Sequence, residues 1–476
     1  MPPVVVAVAS GKGGTGKSLL TGNLSLLLAT LGKRVVAVDA APGGAGLHGM
    51  LGLGEPRVAL GEALRPGGPP LTDIVMATAV PGLGLVPGEA EHGWRGELDA
   101  RAAEILTAQL HTFEADYVLV DLPSGCSRYA VDLFLAADIG VMVHIPEPPA
   151  VELGYRFLRT AFARRLERSG FPLGALIEGS ELPIPLDLFR RAPEVHAEMV
   201  AMRPAIVLNA VRSKTDTDVG NAIAIAGRRR LGIASRYFGH IEYDDAVWVS
   251  LRRRRALLVE HPESRAAKCI EKVARRLLAR EAEAVPDDPA RTETYYELLE
   301  IEPTSSEEDI RRAHRRVRHM YGRESVVVSG LWNREGIETL QRRFDEAYSV
   351  LMDPLRRKAY DQELFPEGLP SRARIRRPEP TVAPVGRAAP PVAADADMSG
   401  RLMREVRESV GIELREISER TKIATAYLSA IEDEQFERLP APVYVRGFLV
   451  EYAKMLGLDV TRVLETYYQR FLAARQ

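Results

Sequence analysis

The sequence predicts an α/β chain, with a mostly parallel sheet in its first part and two small all-α modules after it, joined by a proline-rich linker. Three observations carry that expectation. Over roughly the first 280 residues, short wholly apolar runs alternate with helical patterns. Strands buried on both faces of a parallel sheet read this way. Beyond that point apolar residues return only at helical spacing. Residues 366–400 then hold seven prolines in 35 positions, a composition that cannot bury a core.

The predicted strands are Pro3–Ala9, Arg34–Asp39, Tyr117–Asp121, Ile139–Ile145 and Ala205–Asn209. Leu19–Leu31 reads as the helix between the first two, which makes a right-handed βαβ unit. A polar, proline-containing connection follows at 281–291. After it, Leu298, Leu299 and Ile301, then Ile310, Ala313 and Val317, recur at helical spacing. Ser305 or Ser306 is placed to cap the second of these helices. Ile337, Leu340, Phe344, Ala347 and Val350 mark an amphipathic helix over Glu335–Leu351, and Pro354 opens another. The last region, Arg401–Gln476, is helical with one break at Leu439–Pro442. The expected domains are 1–285, 292–365 and 401–476, with the linker at 366–400.

The chain has 476 residues and a formal net charge of -2, from 63 basic and 65 acidic residues. No whole-chain basic footprint for nucleic acid exists. With only Cys126 and Cys269, a disulfide framework or a four-cysteine metal site within one chain is excluded. No apolar run is long enough to span a membrane, and Met1–Ala9 lacks the basic start of a signal peptide. A cytoplasmic protein is expected.

The strongest motif is Ser10–Ser18, SGKGGTGKS, which follows an apolar strand and opens a helix. That is the setting of a Walker A loop. Gly11, Gly13, Gly14, Thr15 and Gly16 would wrap backbone N–H groups around phosphate at a helix N-terminus. Lys17 would reach the β- and γ-phosphates, and the Ser18 hydroxyl would ligate Mg²⁺. The expected fold of this part is therefore that of a P-loop NTPase.

Lys12, directly after the first glycine, is an additional lysine. With it the sequence resembles the MinD/ParA family, along most of Val4–Leu278. Asn23 and Leu24, and the run Phe134–Arg165, share the likeness. The resemblance implies that ATP and Mg²⁺ are bound and that ATP drives a homodimer. In it, Lys12 reaches the partner's nucleotide. Asp121, at the head of a switch-II-like DLPSG, would hold the Mg²⁺ shell through water. Asn209 would read adenine, its plain alternative being a strand-end turn. Asp39 keeps the first acid of the family's Asp-x-Asp. The second, which orients the attacking water, is Ala41 here. Turnover is then expected to slow by about 10²- to 10⁴-fold while ATP binding survives. On this reading Lys12, Lys17 and Asp39 are catalytic, and Ser18, Asp39 and Asp121 serve the metal. Iron–sulfur carriers share such loops but need cluster-bridging cysteines, often Cys-x-x-Cys, and Cys126 and Cys269 form no such pair.

Two basic runs, Arg228–Arg230 and Arg252–Arg255, fall in this part; relatives of this kind hold DNA or membranes with basic residues. Residues 265–284 are expected to close the domain as a helix with a solvated basic face, contact with a membrane surface or DNA being the alternative.

Segments of Thr294–Leu364 look like a J-domain. Where that family carries His-Pro-Asp, this chain has Tyr321-Gly322-Arg323-Glu324, so stimulation of a DnaK-type chaperone is not expected and an interaction module is. At the end, Leu414–Ile423 and Ala426–Ile431 have helix-turn-helix spacing. With LPAPVYVRGFL at 439–449 they resemble the RodZ-type domain, which implies a protein partner of the actin-like cytoskeleton or a polarity factor. Residues 401–476 carry 12 basic and 12 acidic residues. Glu432, Asp433 and Glu434 crowd the second helix, which argues for protein over DNA. Tyr427 and Phe436 are either anchors for that partner or core. The expected whole is a slow ATP-state scaffold for spatial positioning. The competing reading is a nucleotide-responsive transcription regulator that binds DNA through the last domain.

Overall fold

The structure is a computed structural model. It describes residues 2–41, 46–65, 67–88, 99–170, 195, 197–198, 201–279, 293–366, 398–421, 423–440 and 442–474. The described residues fall into two compact units, one of 2–27 and 34–366, the other of Leu28–Lys33 together with the residues from 398 on. The predicted connection at 281–291 and nearly all of the predicted linker lie outside the described residues.

The first unit is built on one sheet. Its strands are β1 (Val4–Ala9), β2 (Val35–Asp39), β3 (Met76–Ala77), β4 (Leu83–Val86), β5 (Tyr117–Asp121), β6 (Ile139–His144), β7 (Ala205–Val211) and β8 (Arg236–Glu242). Their order is β3-β4-β2-β5-β1-β6-β7-β8. Every pairing is parallel except β3 with β4. Val5 to Ala9 of β1 are fully buried, as a central strand covered on both faces requires. The chain leaves β1 through α1 (Lys17–Thr30) and returns to β2 beyond β5. The carboxyl ends of β1, β5 and β2 therefore lie side by side, where open α/β sheets bind ligands.

Among the described residues, besides α1 the sheet is flanked by α2 (Ala100–Leu110), α3 (Arg128–Ala136), α4 (Pro148–Arg168), α5 (Lys214–Leu231) and, beyond α6 (Asp245–Arg252), α7 (Arg265–Leu278). Their starts follow from local chemistry. Asp99, Ser127, Ser213, Asp244 and Ser264 each accept a backbone N–H from the first turn of α2, α3, α5, α6 and α7. Pro148 opens α4. As expected, α7 closes this part: Cys269, Ile270, Val273 and Leu277 are buried while its arginines face outward. Among the described residues no helix is long and apolar enough to cross a membrane.

The five predicted strands are all present, shifted by at most two residues at an end. β3, β4 and β8 were not predicted. β8, RYFGHIE, mixes polar and apolar residues because it is an edge strand.

The middle module is four helices: α8 (Tyr295–Leu299), α9 (Glu307–Met320), α10 (Arg334–Met352) and α11 (Pro354–Leu364). Ser306 caps α9 in a capping box with Asp309, and Asp353 caps α11 ahead of Pro354. The module packs on the sheet part through buried polar contacts. The Arg229 side chain is only 4% exposed and meets Glu293 at 2.7 Å and Glu300 at 3.3 Å. It also donates to the carbonyls of Glu297 and Leu298 and lies over the Tyr321 ring. Arg230 donates to the Leu331 carbonyl, and the Tyr155 hydroxyl of α4 donates to the Val327 carbonyl. The basic run Arg228–Arg230 is thus no open DNA or membrane surface, because two of its three guanidiniums hold this module. Tyr321, where the expected tripeptide should begin, is fully buried.

The second unit contains α12 (Gly400–Val410), α13 (Leu414–Thr421), α14 (Thr425–Glu432), α15 (Pro442–Leu456) and shorter turns to Ala473. Met403, Ile417, Leu428, Ile431, Val445, Leu449 and Phe471 are buried in it. Of the three acids the sequence placed on this helix, Glu432 ends α14 and is buried, while Asp433 and Glu434 follow it and are paired rather than open. The Glu432 side chain is 1% exposed, pairs with Arg404 and Arg407, and accepts from the Tyr452 hydroxyl. Glu434 accepts from Arg470 and the Gly400 N–H, and Asp433 pairs with Arg404. Tyr427 stacks on Phe448 at 5.6 Å and Phe436 lies edge-on to Tyr467 and Phe471, so both aromatics serve packing.

Candidate functional site

The site grows from the loop after β1. Gly16 adopts φ 95°, and a Cβ on it would fall 2.1 Å from Asn209 Nδ2. A Cβ on Gly11 would meet the Leu153 carbonyl and the Gly154 nitrogen of α4 at 2.1 to 2.4 Å. Only glycine lets this loop sit between β7 and α4 with its N–H groups free to turn inward.

Lys17 opens α1 and is buried. Its Nζ donates to Ser124 Oγ at 2.6 Å and to Ser10 Oγ at 3.2 Å. Burial lowers its pKa, opposed by the Asp121 charge. Ser18 Oγ donates to Asp121 Oδ2 at 2.5 Å. Asp121 ends β5 directly beside Asp39, which ends β2. Burial first, then the Asp39 charge, pushes the Asp121 carboxyl up to about 7, against hydrogen bonding from Ser18.

Two buried oxygens here, Asp121 Oδ1 and Thr15 Oγ1, have no hydrogen-bond partner among the described residues. An orphaned acceptor beside a serine hydroxyl suits a hard divalent cation, which takes oxygen ligands. The residues present therefore fit Mg²⁺ and phosphate. Asp39 is differently engaged: Oδ2 accepts from the Leu47 N–H at 2.9 Å and Oδ1 from the Ala41 N–H at 3.3 Å. It ties down the segment that follows β2, whose residues 42–45 lie outside the described ones.

Lys12 pairs with Glu147 at 2.8 Å, with both side chains partly exposed. Asn209 Nδ2 donates to the Thr15 carbonyl at 2.8 Å, so its amide nitrogen is committed to the loop and its Oδ1 remains for a base. Gly13 and Gly14 complete the loop, and Gly14 also has positive φ. The structure thus gathers Lys17, Ser18, Asp39 and Asp121 at adjoining strand ends and sets Asn209 against the loop.

Three contributors escaped the sequence reading. Ser124 was visible only as part of DLPSG. Glu147 lies 135 residues from Lys12, and no local pattern links them. Tyr129 keeps a buried hydroxyl without a partner among the described residues, and burial, then the Asp39 charge, raises its pKa. The two cysteines lie apart, Cys126 after β5 and Cys269 in α7, and both are free.

Comparison with known proteins adds lineage. A family model described as NUBPL iron-transfer P-loop NTPase matches residues 3–165, and a helix-turn-helix domain model matches 402–463. The iron–sulfur cluster carrier protein of Deinococcus radiodurans is 30% identical over 280 residues, covering 57% of this chain and 68% of that protein. The carrier protein of Bacillus subtilis is 34% identical over 158 residues, 33% of this chain and 43% of its own length. The chromosome partitioning protein ParA of Caulobacter vibrioides is 35% identical over 145 residues, 29% of this chain and 54% of its own. The chain thus spans about half the length of the last two.

Proposed function

The chain belongs to the ParA/NUBPL family of P-loop NTPases, and on that premise we propose that it is an ATP-dimerised switch that hydrolyses slowly and acts as a cytoplasmic positioning scaffold. The observation that carries this reading is a complete phosphate and cation cradle, from Lys17, Ser18 and Asp121, beside Ala41 where the water-orienting acid belongs.

Lys17 is held by two hydroxyls and exchanges them for phosphate oxygens at small cost, hydrogen bond for hydrogen bond. Ser18 and Asp121 are the groups that would hold Mg²⁺, which supplies neutralisation of phosphate charge. Asp39 holds the backbone at Ala41 and Leu47, and Asn209 positions the loop while offering Oδ1 to adenine. Lys12 acts across the dimer once it leaves Glu147. That exposed pair is worth about 1 kcal/mol or less and is no barrier. The C-terminal unit binds the partner.

Light scattering on the full chain after size exclusion, with bound nucleotide quantified, tests the reading. A dimer in ATP, a monomer in ADP and persistent ATP are expected; a nucleotide-indifferent monomer overturns it. Ala41→Asp should raise the single-turnover rate about 10²-fold or more, and an unchanged rate removes the slow-hydrolysis claim.

A second reading is DNA binding by the C-terminal unit. The inward pairing of Glu432 favours it, because that charge no longer faces a ligand on α14. Anisotropy of labelled duplex DNA with the full chain at low salt decides: no binding ends this reading.

A further inference from the structure

We propose that His240, Glu242 and Cys269 form a site for one borderline divalent cation of the zinc type, on the edge strand and independent of the nucleotide. His240 and Glu242 are two apart on β8 and so point to one side of the sheet. α7 packs over that side and presents Cys269. A ring nitrogen of His240, a carboxylate oxygen of Glu242 and Cys269 Sγ all lie within 4.8 Å of one another. Nitrogen, oxygen and sulfur donors together select zinc-like ions over magnesium or calcium. Cys269 is buried while the other two are partly exposed, so the cluster has a floor and a mouth.

A second observation concerns the histidine's outer partner. The Tyr237 hydroxyl donates to the Thr217 carbonyl at 3.3 Å and lies 3.2 Å from His240 Nδ1. With its proton given to Thr217, the Tyr237 oxygen accepts Nδ1–H, which leaves the Nε2 lone pair free. Metal-binding histidines are held by such an outer partner. Three cations face the cluster. Arg265 lies 3.6 Å from Glu242, and Lys272 and Arg276 act on His240. They oppose the charge of a bound cation, but Lys272 and Arg265 favour the thiolate form of Cys269, the form that ligates. Cation binding displaces the thiol proton of Cys269 to solvent and forms one metal–sulfur bond. Three protein donors leave a fourth position open, and the bound ion would fasten α7 to β8.

The test uses the full chain, reduced, chelator-stripped and nucleotide-free, titrated with Co²⁺. One equivalent should give tetrahedral visible bands and a near-ultraviolet thiolate-to-metal band, both displaced by Zn²⁺. Cys269→Ser should abolish the thiolate band, and Cys126→Ser should leave it. Glu242→Gln and His240→Ala should each weaken binding by about 10- to 100-fold, and Tyr237→Phe by about tenfold. Zn²⁺ should raise the melting temperature of the wild type and not of Cys269→Ser. Absence of the thiolate band in the wild type, its survival in Cys269→Ser, or one ion per two chains would each overturn the site.

Discussion

The middle module and the C-terminal unit are both small and helical, and each centres on a buried arginine–carboxylate cluster. The clusters face opposite ways. In the middle module the arginine, Arg229, comes from the sheet part, and the carboxylates, Glu293 and Glu300, flank α8. In the C-terminal unit Arg404, Arg407, Glu432 and Tyr452 all belong to that unit. A buried ion pair costs desolvation and is sustained only when every lone pair and proton finds a partner. Sharing the partners across two folded parts makes those parts stand or fall together. Keeping them inside one part leaves it self-sufficient.

The sharpest way to break this contrast is Arg229→Ala. It takes the most buried partner from Glu293 and Glu300, which keep Arg343 and Arg316, and one from each of two carbonyls, for about 3 kcal/mol, and should lower the denaturation midpoint of the sheet part and the middle module together. If the C-terminal unit shifts as well, the contrast fails. Glu432→Gln is the mirror experiment. It should cost the C-terminal unit about 3 kcal/mol, seen as an early melting step in calorimetry, with nucleotide binding unchanged.

Acidity separates the two units further. Asp121 has a folded value raised to about 7 from an ordinary 3.8. Between those values the folded state binds the extra proton, so the nucleotide-free first unit gains stability as pH falls through that window, on the order of 4 kcal/mol over the whole of it. Asp121→Asn should flatten the dependence. Glu432 runs the other way. Burial raises its pKa, but Arg407, Tyr452 and Arg404 outweigh that and leave it below the usual glutamate value. Its contribution is complete above that usual value and is lost as pH falls through the lower, folded one. Melting curves at pH 8, 5.5 and 3 should therefore show the first unit strengthen before the second weakens. The smallest effect is Tyr155→Phe, about 1–2 kcal/mol for a Val327 carbonyl left unpaired, read by urea unfolding.

What could be foreseen divides along similar lines. The strands that carry the loop, Asp39 and Asp121 are apolar throughout because both faces are covered, and they were plain. β8 was not, because an edge strand has one wet face and its Arg, Gly and His dilute the pattern. The loop glycines, Lys17 and Ser18 were readable because their spacing is local. Glu147, Arg229 and the Glu432 cluster were not. Each depends on residues brought together from 20 to 135 positions away, and a charged residue gives no sign in sequence of whether it will face water or a partner. The acids at the end of α14 misled for that reason.

The Tyr155–Val327 and Arg229 contacts also define what is portable in this gene. A recombination event that carried away the first 285 codons alone would deliver a fragment with Tyr155 stripped of its cover and a guanidinium robbed of its carboxylates. The heritable cassette is the stretch through codon 366. The helices between 293 and 366 travel with the sheet.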